Sequence, residues 1–549
     1  MRIPTPALLG IALTLSSLPA AGQAQDAPAP APPSLADAPP PPPTPGAALT
    51  DAALAPSPSV FSSGLEGTAP LGDTQAAGWH DVFFLRGLGD TFRLYPMARL
   101  HLDAHTFFGA GVDDFAATEG GNALRTQFFA RRIRFELGGE FMRRLSFLAG
   151  VDVGGQPLLN PNGTTVVAAP RPGEDPTLEG PTWSPTQASS MVAVLANTWI
   201  NYRALPFLNV MLGQFPAPYS LENMTSSNDT LFTERLLPIR AFVFPNHREM
   251  GAMLWGELPN RLAVYHLGVF SGDGPNRPGV DSLPAFIGRI YGRPFAMKKG
   301  APLERAQIGV SAVHSEQDPR YVGTDYPRIS TGQFITLWDP RYRDTQNQNV
   351  RVMPSGAQNA IGGELWLPVH RFDLRAEAHY VVNQTREAIE GHQLDSTERL
   401  GRVQGLGWYA ALSFWLGDPQ VNGEPGLGSR PVQLNLQQDI PTRSGLQLTG
   451  VIGGIHANYR GAARGGTADL RTAGAISGPG TDITVMQYGA AATYWYTRHL
   501  RLTVNYSAYH TPGSSSPDNL AAVPGNRAET PDPNAHLLHE LGTRVGLQF

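Results

Sequence analysis

The chain has 549 residues, of which 60 are glycine and 50 are proline, so about one residue in five disfavours a helix. Charged residues make up 16% of the sequence, and 41 basic residues nearly balance 46 acidic ones. This composition excludes a large helical bundle and a polytopic helical membrane protein, and it argues against nucleic acid as a partner. Cysteine is absent, which also excludes disulfide scaffolds, thiolate zinc sites and iron–sulfur clusters.

The first residues have the pattern of a secretory signal peptide. Arg2 is followed by an apolar run from Ala7 to Leu18 and then by small residues that end at Ala24. A run of about a dozen apolar residues is too short to cross roughly 30 Å of hydrocarbon as a helix. We therefore predict that residues 1–24 are a signal peptide, removed after Ala24 during export.

The next segment, residues 25–78, is dominated by proline and alanine, with a continuous proline run from Pro39 to Pro43. It has few aromatic or charged side chains and no periodic pattern. Such a segment buries too little apolar area to offset the entropy that is lost on ordering. The composition therefore predicts a disordered tether on the periplasmic side of a membrane.

From residue 79 onward, apolar residues recur with a period of two, which indicates strands. Residues 371–383 place Phe372 and Tyr380 on one face of a strand, and they place Asp373 and Glu377 on the other. The same alternation recurs around residues 98–105, 132–137, 145–153, 306–312 and 501–508. Several of these segments are as long as the ~9–11 residues that a tilted membrane-spanning strand needs.

Short turns alternate with long loops along this region. The turns fall at Met142–Arg144, Leu205-Pro206, Pro259-Asn260, Val369-His370 and Arg498-His499. The loops, rich in Gly, Pro and Asn, are roughly residues 107–127, 154–190, 216–249, 271–285, 314–358, 384–402, 459–481 and 511–537. Turns on the periplasmic side and loops outside are typical of a transmembrane β-barrel. We predict an all-β, antiparallel barrel of about 16 strands over residues 79–549, with the alternation weakest near 80–95, 286–304 and 417–445.

The chain ends on an alternating strand, from Leu541 to Phe549, whose last residue is aromatic. This ending resembles the assembly signature of Gram-negative outer-membrane barrels. We predict that Phe549 is an assembly signal read by the outer-membrane assembly machinery. Other aromatic residues gather at predicted strand ends, and we expect them at the level of the lipid headgroups: Trp366, Trp408, Trp415, Tyr494, Trp495, Tyr496, Tyr506 and Tyr509.

The size of such a barrel predicts its function. About 16 strands enclose a lumen too wide for side chains to fill, which becomes a water-filled channel in the outer membrane. The expected function is that of a porin for passive diffusion of small solutes, not that of an enzyme, and no cofactor is expected. Two alternatives remain open: a soluble secreted β-rich binding or adhesion protein, and an outer-membrane barrel enzyme.

Histidines are the natural candidates for an enzymatic or metal site. The chain has neither a nucleophile motif such as GxSxG nor a zinc motif such as HExxH around His247, His266 and His379. His101 and His105 share a strand face with Asp103. Neighbouring same-face residues on a strand lie nearly 7 Å apart, which suits a solvated lining better than a metal site. We therefore predict no catalytic residue and no bound metal.

Two blocks of the sequence carry a resemblance to a known family. Residues 128–150, FFARRIRFELGGEFMRRLSFLAG, and residues 197–257, which contain GQFPAPYSLE and TSSNDTLFTER, resemble the phosphate-selective porin O/P family. The resemblance implies an outer-membrane porin of 16 strands that is commonly a homotrimer. It also implies that the third long loop, here about 216–249, folds inward and narrows the pore.

Arginines near this loop predict how the pore selects solutes. Arg132 and Arg134 share the lumen face of one strand, and Arg235, Arg240 and Arg248 lie on or beside the loop. A guanidinium has five donors and keeps its charge, and a ring of charges at a narrow point selects ions of opposite sign. We predict that these five arginines form an anion-attracting constriction. In the structural alternative they pair with neighbouring carboxylates, namely Glu136, Glu234 and Glu249.

The predicted lumen is mixed in charge. The only lysines, Lys298 and Lys299, adjoin a predicted periplasmic turn, and the polar strand faces also carry Asp103 and Glu377. A mixed lumen predicts a weak or moderate preference for small anions, such as chloride or phosphate, over cations. The remaining expected partners are the lipid of the outer membrane and two further copies of the chain.

Overall fold

The computed structural model describes most of the chain from residue 76 onward. The described ranges are 76–87, 91–108, 126–155, 193–243, 247–276, 283–317, 326–327, 329–332, 336–338, 342–343, 349–389, 400–419, 421–432, 443–460, 462–463, 466–467, 482–510 and 537–549. The predicted signal peptide and the predicted tether up to residue 75 lie outside these ranges. Among the described residues, no helix is both long enough and apolar enough to cross a membrane.

The described chain forms 23 β-strands. In chain order they are β1 (Ala77–His80), β2 (Val82–Arg86), β3 (Phe92–Phe108), β4 (Gln127–Phe141), β5 (Leu145–Asp152), β6 (Val194–Leu205), β7 (Leu208–Pro216), β8 (Arg248–Glu257), β9 (Val264–Phe270), β10 (Ala285–Gly292), β11 (Gln307–Gln317), β12 (Ile329–Ser330), β13 (Thr336–Trp338), β14 (Tyr342–Arg343), β15 (Asn349–Val369), β16 (Phe372–Ile389), β17 (Leu400–Gly417), β18 (Gly445–Arg460), β19 (Ala462–Ala463), β20 (Gly466–Thr467), β21 (Asp482–Trp495), β22 (Leu500–His510) and β23 (Leu537–Gln548). The described helical structure is a π-helical turn at Ile239–Val243 and a 3₁₀ turn at Pro259–Arg261.

The long strands form one closed antiparallel barrel, made by β3–β11, β15–β18 and β21–β23. Each of these strands pairs with its neighbour in the chain, and β23 returns to pair with β3, where Leu541 lies opposite Thr106. At the end of the chain, Phe549 and Ala98 exchange backbone hydrogen bonds of 2.6 and 3.0 Å. Closure leaves the wall without an unpaired edge, as a membrane requires. The prediction of an all-β antiparallel barrel of about 16 strands is confirmed.

The two faces of each wall strand differ as the alternation predicted. On β16, Phe372 and Tyr380 are 51% and 46% exposed on the outer face, whereas Asp373 and Glu377 are buried on the inner face. The outer surface of the described barrel is therefore apolar, and the inner face carries the polar and charged residues. This is the arrangement that lipid outside and water inside require.

The expectation that three tryptophans would lie at the lipid headgroups is wrong. The side chains concerned, all 1–2% exposed, are Trp366, Trp415 and Trp495. Each lies two residues from a buried polar residue of the same strand, and these neighbours are Glu364, Ser413 and Thr493. Side chains two residues apart on a strand point to the same face, so the three rings point into the barrel. Closeness to the end of a strand does not change the face on which a side chain lies.

The connections at one end of the barrel are mostly short. They include the turns at 142–144, 206–207 and 370–371. Two connections at this end are longer, residues 293–306 and residues 418–444, and both overlap stretches in which the alternation was weakest. The third such stretch forms the hairpin β1–β2, which adds to the wall where Leu85 lies opposite Leu94 of β3. We call this end the turn side.

The inside of the barrel contains a large apolar cluster as well as polar side chains. Wall residues such as Met211 and Trp255 pack in one cluster with Tyr219, Leu237 and Phe242, which belong to the segment between β7 and β8. A membrane-spanning barrel has lipid outside, so this core lies in the lumen. The lumen at this level is occupied by chain, and the space left for solutes is narrower than the wall alone would enclose.

Candidate constriction site

The segment between β7 and β8, residues 217–247, lies inside the barrel, and we call it the constriction loop. Its described residues are 217–243 and 247. Ser220 donates its backbone N–H to Ser311 of β11 at 3.0 Å, and Glu234 binds Arg131 of β4 at 2.8 Å. In the order of the wall, β4 and β11 lie on opposite sides of the barrel. The loop therefore crosses the lumen from one wall to the other.

One attachment of the loop to the wall is a carboxylate of β16. Glu377 of β16 accepts the backbone N–H groups of Leu221 and Glu222 at 2.9 and 2.8 Å, and it also accepts the Tyr409 hydroxyl at 2.6 Å. Backbone donors at the start of a turn have no partner of their own, so a carboxylate placed there stabilises the turn. Further along the loop, amide side chains of the wall also accept backbone N–H groups, with Gln487 accepting from Leu237 and Asn505 from Thr233.

The neck of the loop is closed by its own polar side chains. His247 Nδ1 lies 2.8 Å from Asn223 Oδ1, and Asn223 donates to the carbonyl of Ala217 at 3.0 Å. Ser220 and His247 both have φ near +60°, a conformation that costs free energy for residues other than glycine. The surrounding hydrogen bonds hold these two residues in that conformation, so the neck has a defined shape.

A glutamate of the loop is shared by three arginines of the wall. Glu234 Oε1 lies 2.8 Å from Arg131, 3.6 Å from Arg132 and 3.1 Å from Arg544. Burial alone would raise the pKa of Glu234, but these three guanidinium groups outweigh it and hold the pKa well below its usual range. The carboxylate is therefore ionised. The sequence suggested Arg235, the adjacent residue, as its partner, and the structure instead gives it partners from two wall strands.

Two of the predicted site residues, Arg132 and Arg134, lie on the inner face of β4 and are close to carboxylates. Arg134 donates two hydrogen bonds to Asp152, at 2.8 and 3.2 Å, and lies 3.9 Å from Glu136. Arg132 approaches Glu234, with His101 Nδ1 at 3.5 Å on its other side. For these two arginines the structure favours the pairing alternative, because each charge is at least partly compensated.

The other three predicted residues bind neutral oxygen atoms. Arg235 donates to the backbone carbonyls of Glu222 and Thr225 at 3.2 and 2.8 Å. Two single contacts complete the set: Arg240 to the Ser330 carbonyl at 2.5 Å and Arg248 to Asn197 Oδ1 at 2.8 Å. Within the described residues, none of the three has a carboxylate within 4.0 Å. Their positive charges are hydrogen-bonded and are not neutralised.

The pKa of His247 indicates the sign of the electrostatic potential at the neck of the loop. Burial, followed by the charges of Arg235 and Arg248, holds the pKa of this histidine well below its usual range. Arg132 and Arg134 act in the same direction from the wall. The imidazole is therefore neutral at pH 7, and the potential around it is positive.

Several arginines of this region were not among the predicted site residues. Arg99 donates to Ser227 Oγ at 2.9 Å, and Arg501 donates to the Ser227 carbonyl at 2.8 Å. Arg544 binds Asp103 through two hydrogen bonds of 2.7 Å. All three lie on polar strand faces that the alternation had identified. What the sequence lacked was the position of the loop, which alone shows that these arginines lie close to it.

A second chain segment, residues 421–432, enters the barrel from the turn side and packs against the constriction loop. Gly426 donates its backbone N–H to Thr225 Oγ1 at 2.9 Å, and Gly428 donates to the Met224 carbonyl at 2.7 Å. Both glycines have φ above +70°, which a residue with a Cβ rarely adopts. We call residues 421–432 the turn-side segment. Together with the loop it leaves only part of the lumen open.

The predicted absence of a metal site can be compared only with the described residues. Among them, no group of three or more His, Asp or Glu side chains is arranged to hold a metal ion. His105 lies 3.5 Å from Asp103 and 3.4 Å from Glu540. Asp103 is already occupied by a bidentate contact with Arg544. These residues form part of an ion-pair network in the wall.

A closed barrel with an apolar outer face and a loop folded into its lumen defines the class of outer-membrane channels. The family model of phosphate-selective porins O and P matches residues 104–423, which is more than half of the chain. The chain therefore belongs to the phosphate-selective porin O and P family, and it is an outer-membrane porin. Fold and family are those of a channel.

Solved structures of other outer-membrane proteins are similar to this chain. A loop L8 deletion mutant of OmpT from Vibrio cholerae is 7% identical, with a TM-score of 0.43, over 84% of this chain and 100% of that one. DcaP, an outer membrane channel of Acinetobacter baumannii, is 11% identical, with a TM-score of 0.43, over 85% and 99%. An anion-selective porin from Comamonas acidovorans is 9% identical, with a TM-score of 0.41, over 83% and 100%. A comparison with curated proteins gives no match.

Proposed function

We propose that this porin admits small solutes by passive diffusion and prefers anions to cations weakly or moderately. We further propose that the preference is set at the constriction loop by Arg132, Arg134, Arg235, Arg240 and Arg248. The observation that carries the proposal is that, within the described part of the chain, Arg235, Arg240 and Arg248 have neutral partners and no carboxylate within 4.0 Å, so their charges remain available to a passing anion. A guanidinium cannot release its proton under physiological conditions, so this attraction persists at every pH of interest.

The strength of the preference follows from the balance of charge. Arg132 and Arg134 share their charges with Glu234 and Asp152, so they contribute less than their number suggests. Fully ionised carboxylates in the same lumen attract cations and reduce the selectivity. We therefore expect chloride to pass more readily than potassium. The ratio of chloride to potassium permeability should be well below that of a strictly anion-selective channel. Lys298 and Lys299 do not contribute at this level, because they lie on the turn between β10 and β11.

We also propose that the functional unit is a homotrimer. The support is the family to which the chain belongs, whose members are commonly trimeric. In such an assembly each barrel encloses its own lumen, so the arginine constriction would act within one chain. The assembly can be tested by cross-linking the protein in intact outer membranes and measuring the mass of the product.

The proposed selectivity is tested by reconstituting the purified protein in a planar bilayer. The reversal potential in a KCl gradient is expected on the anion side, with open channels of stable conductance. A reversal potential on the cation side would contradict the arginine constriction, and the absence of any conductance would contradict free diffusion of small solutes. Titration of the chloride current with phosphate then measures specificity. A block below about 1 mM phosphate would indicate a phosphate site instead of a weak general preference.

A further inference from the structure

Three arginines of the turn side converge on one carboxylate of the turn-side segment. Arg293 and Arg305 bind Glu424 at 2.8 and 2.9 Å, and Arg261 contacts the same carboxylate. Arg261 lies in the 3₁₀ turn after β8, whereas Arg293 and Arg305 lie at the two ends of the connection between β10 and β11. These contacts are on the turn side of the barrel and are separate from the five arginines of the constriction.

This network contains more positive than negative charge. The second carboxylate in it is Glu257, which lies 2.7 Å from Arg430 and 3.4 Å from Arg261. Two carboxylates therefore face four guanidinium groups, the remaining two being Arg293 and Arg305. Burial of guanidinium groups costs free energy unless the charges are compensated. The network is thus suited to accept an additional anion.

A cavity of about 250 Å³ adjoins this network. Arg305 and Glu424 lie on its lining, and the lining also includes Trp366 and Trp415, whose side chains are buried inside the barrel. The guanidinium of Arg305 lies 5.3 Å from the centre of the Trp366 ring, within the range of a cation–π contact. A cavity of ~150 Å³ holds a benzene molecule, so this one has room for a six-membered ring with a substituent.

Two buried donors on the lining of the cavity have no hydrogen-bond partner within the described residues. They are Nη1 of Arg375 and Nδ2 of Asn422. The remaining carboxylates of the lining are engaged: Asp373 binds Arg375 and the Trp366 indole, and Glu304 binds Lys299. Two unpaired donors beside arginines that outnumber the carboxylates they share call for a ligand that supplies anionic oxygen acceptors.

We propose that this cavity is a binding site for an aromatic carboxylate. The carboxylate group accepts hydrogen bonds from Arg305, Arg375 Nη1 and Asn422 Nδ2, and the ring packs on the side chains of Trp366 and Trp415. The site requires both parts of the ligand, since the donors of Arg305, Arg375 and Asn422 bind any anion but only a ring fills the apolar part. It is an additional site of the porin and does not depend on selectivity at the constriction loop.

Calorimetric titration of the full-length protein in detergent with benzoate at pH 7 tests the proposal. We expect benzoate to bind at least about tenfold more tightly than acetate, which lacks the ring, and than benzyl alcohol, which lacks the charge. Equal affinities for benzoate and acetate would overturn the proposal in favour of a general anion site. The absence of benzoate binding at concentrations up to about 10 mM would also overturn it.

Two variants locate the site. Asn422→Asp replaces a donor by an anionic acceptor of the same shape, and Arg305→Gln removes one charge, so each is expected to weaken benzoate binding by about tenfold or more. Lys298→Gln is the matched control, because it removes an exposed charge from the same turn at a side chain that is not on the lining of the cavity, and its benzoate affinity should equal that of the wild type. Unchanged binding in Asn422→Asp would overturn the proposed site. The reversal potential in KCl is measured separately, so failure of this proposal is distinguishable from failure of the proposed selectivity.

Discussion

Glu377, on the inner face of the wall, accepts the backbone N–H of Glu222, in the constriction loop, at 2.8 Å. This contact joins β16 to the constriction loop. The alternation of polar and apolar residues predicts the strand, but it does not predict the path of the loop. It also places a buried carboxylate where backbone donors at the beginning of a turn need an acceptor. The position of the loop, and with it the width of the channel, depends on such contacts.

Replacement of Glu377 by glutamine is expected to loosen the loop. The amide keeps the shape of the carboxylate but loses its charge, which weakens the contacts to Leu221 and Glu222 by about 1–3 kcal/mol in total. In single-channel records we expect a larger and noisier conductance than in the wild type. Glu316→Gln, at an exposed position of β11, is the control and should conduct as the wild type does. Records of Glu377→Gln that match the control would contradict the anchoring role.

Replacement of Glu234 by glutamine is expected to increase the preference for anions. Arg131, Arg132 and Arg544 share this carboxylate, so its loss leaves their charges less compensated. The reversal potential in a KCl gradient should move further to the anion side, by several millivolts in a tenfold gradient whose limit is about 59 mV. Glu304→Gln, on the exposed turn, serves as the comparison. A shift toward the cation side would show that the loop, and not its charge, had changed.

Acid is expected to destabilise the inward position of the loop through His247. Burial and the neighbouring arginines depress the pKa of this histidine, so the folded loop binds fewer protons than a displaced loop, in which the usual value of 6.5 is restored. The contribution of His247 is therefore constant above pH ~7.5 and is lost as the pH falls below about 6.5, at up to about 1.4 kcal/mol per pH unit. Current fluctuations should become more frequent between about pH 6.5 and pH 5. In His247→Asn, which does not titrate, this part of the pH dependence should disappear.

The terminal aromatic residue gives a prediction about assembly. Phe549 exchanges backbone hydrogen bonds with Ala98, and its ring lies 6.3 Å from that of Phe83 in the hairpin β1–β2. Phe549→Ala keeps the backbone contacts and removes the ring, so we expect a several-fold lower yield of heat-modifiable barrel in the outer membrane. Phe83→Ala removes only the ring contact. If the two variants gave the same yield, Phe549 would act through packing and not as an assembly signal.

Much of the wall could be predicted from the sequence, because a period of two repeats over every strand and separates the face that meets lipid from the inner face. The same rule was not applied to Trp366, Trp415 and Trp495, which were expected at the headgroups because they lie near strand ends. Their place in the alternation puts these side chains on the inner face. Residues 293–306 had no clear period, since this connection does not span the membrane.

The site was harder to predict than the wall. The sequence identified arginines near the loop, but it could not show which of them are compensated, since that depends on contacts between distant parts of the chain. Glu234 is an example: its nearest partner is 103 residues away, and another is 310 residues away. No local pattern encodes such a distance. The importance of Arg99, Arg501 and Arg544 was missed for the same reason.

The central claim, that uncompensated arginines at the constriction loop attract anions, is tested most directly by the reversal potential of Arg248→Gln. Among the described residues, this side chain makes one hydrogen bond, to Asn197 Oδ1, which glutamine can replace, so the variant removes a charge with little change of structure. In a KCl gradient across a planar bilayer, we predict a reversal potential closer to zero than that of the wild type, at equal conductance within about a factor of two. A reversal potential that is unchanged, or that moves further to the anion side, would contradict the account.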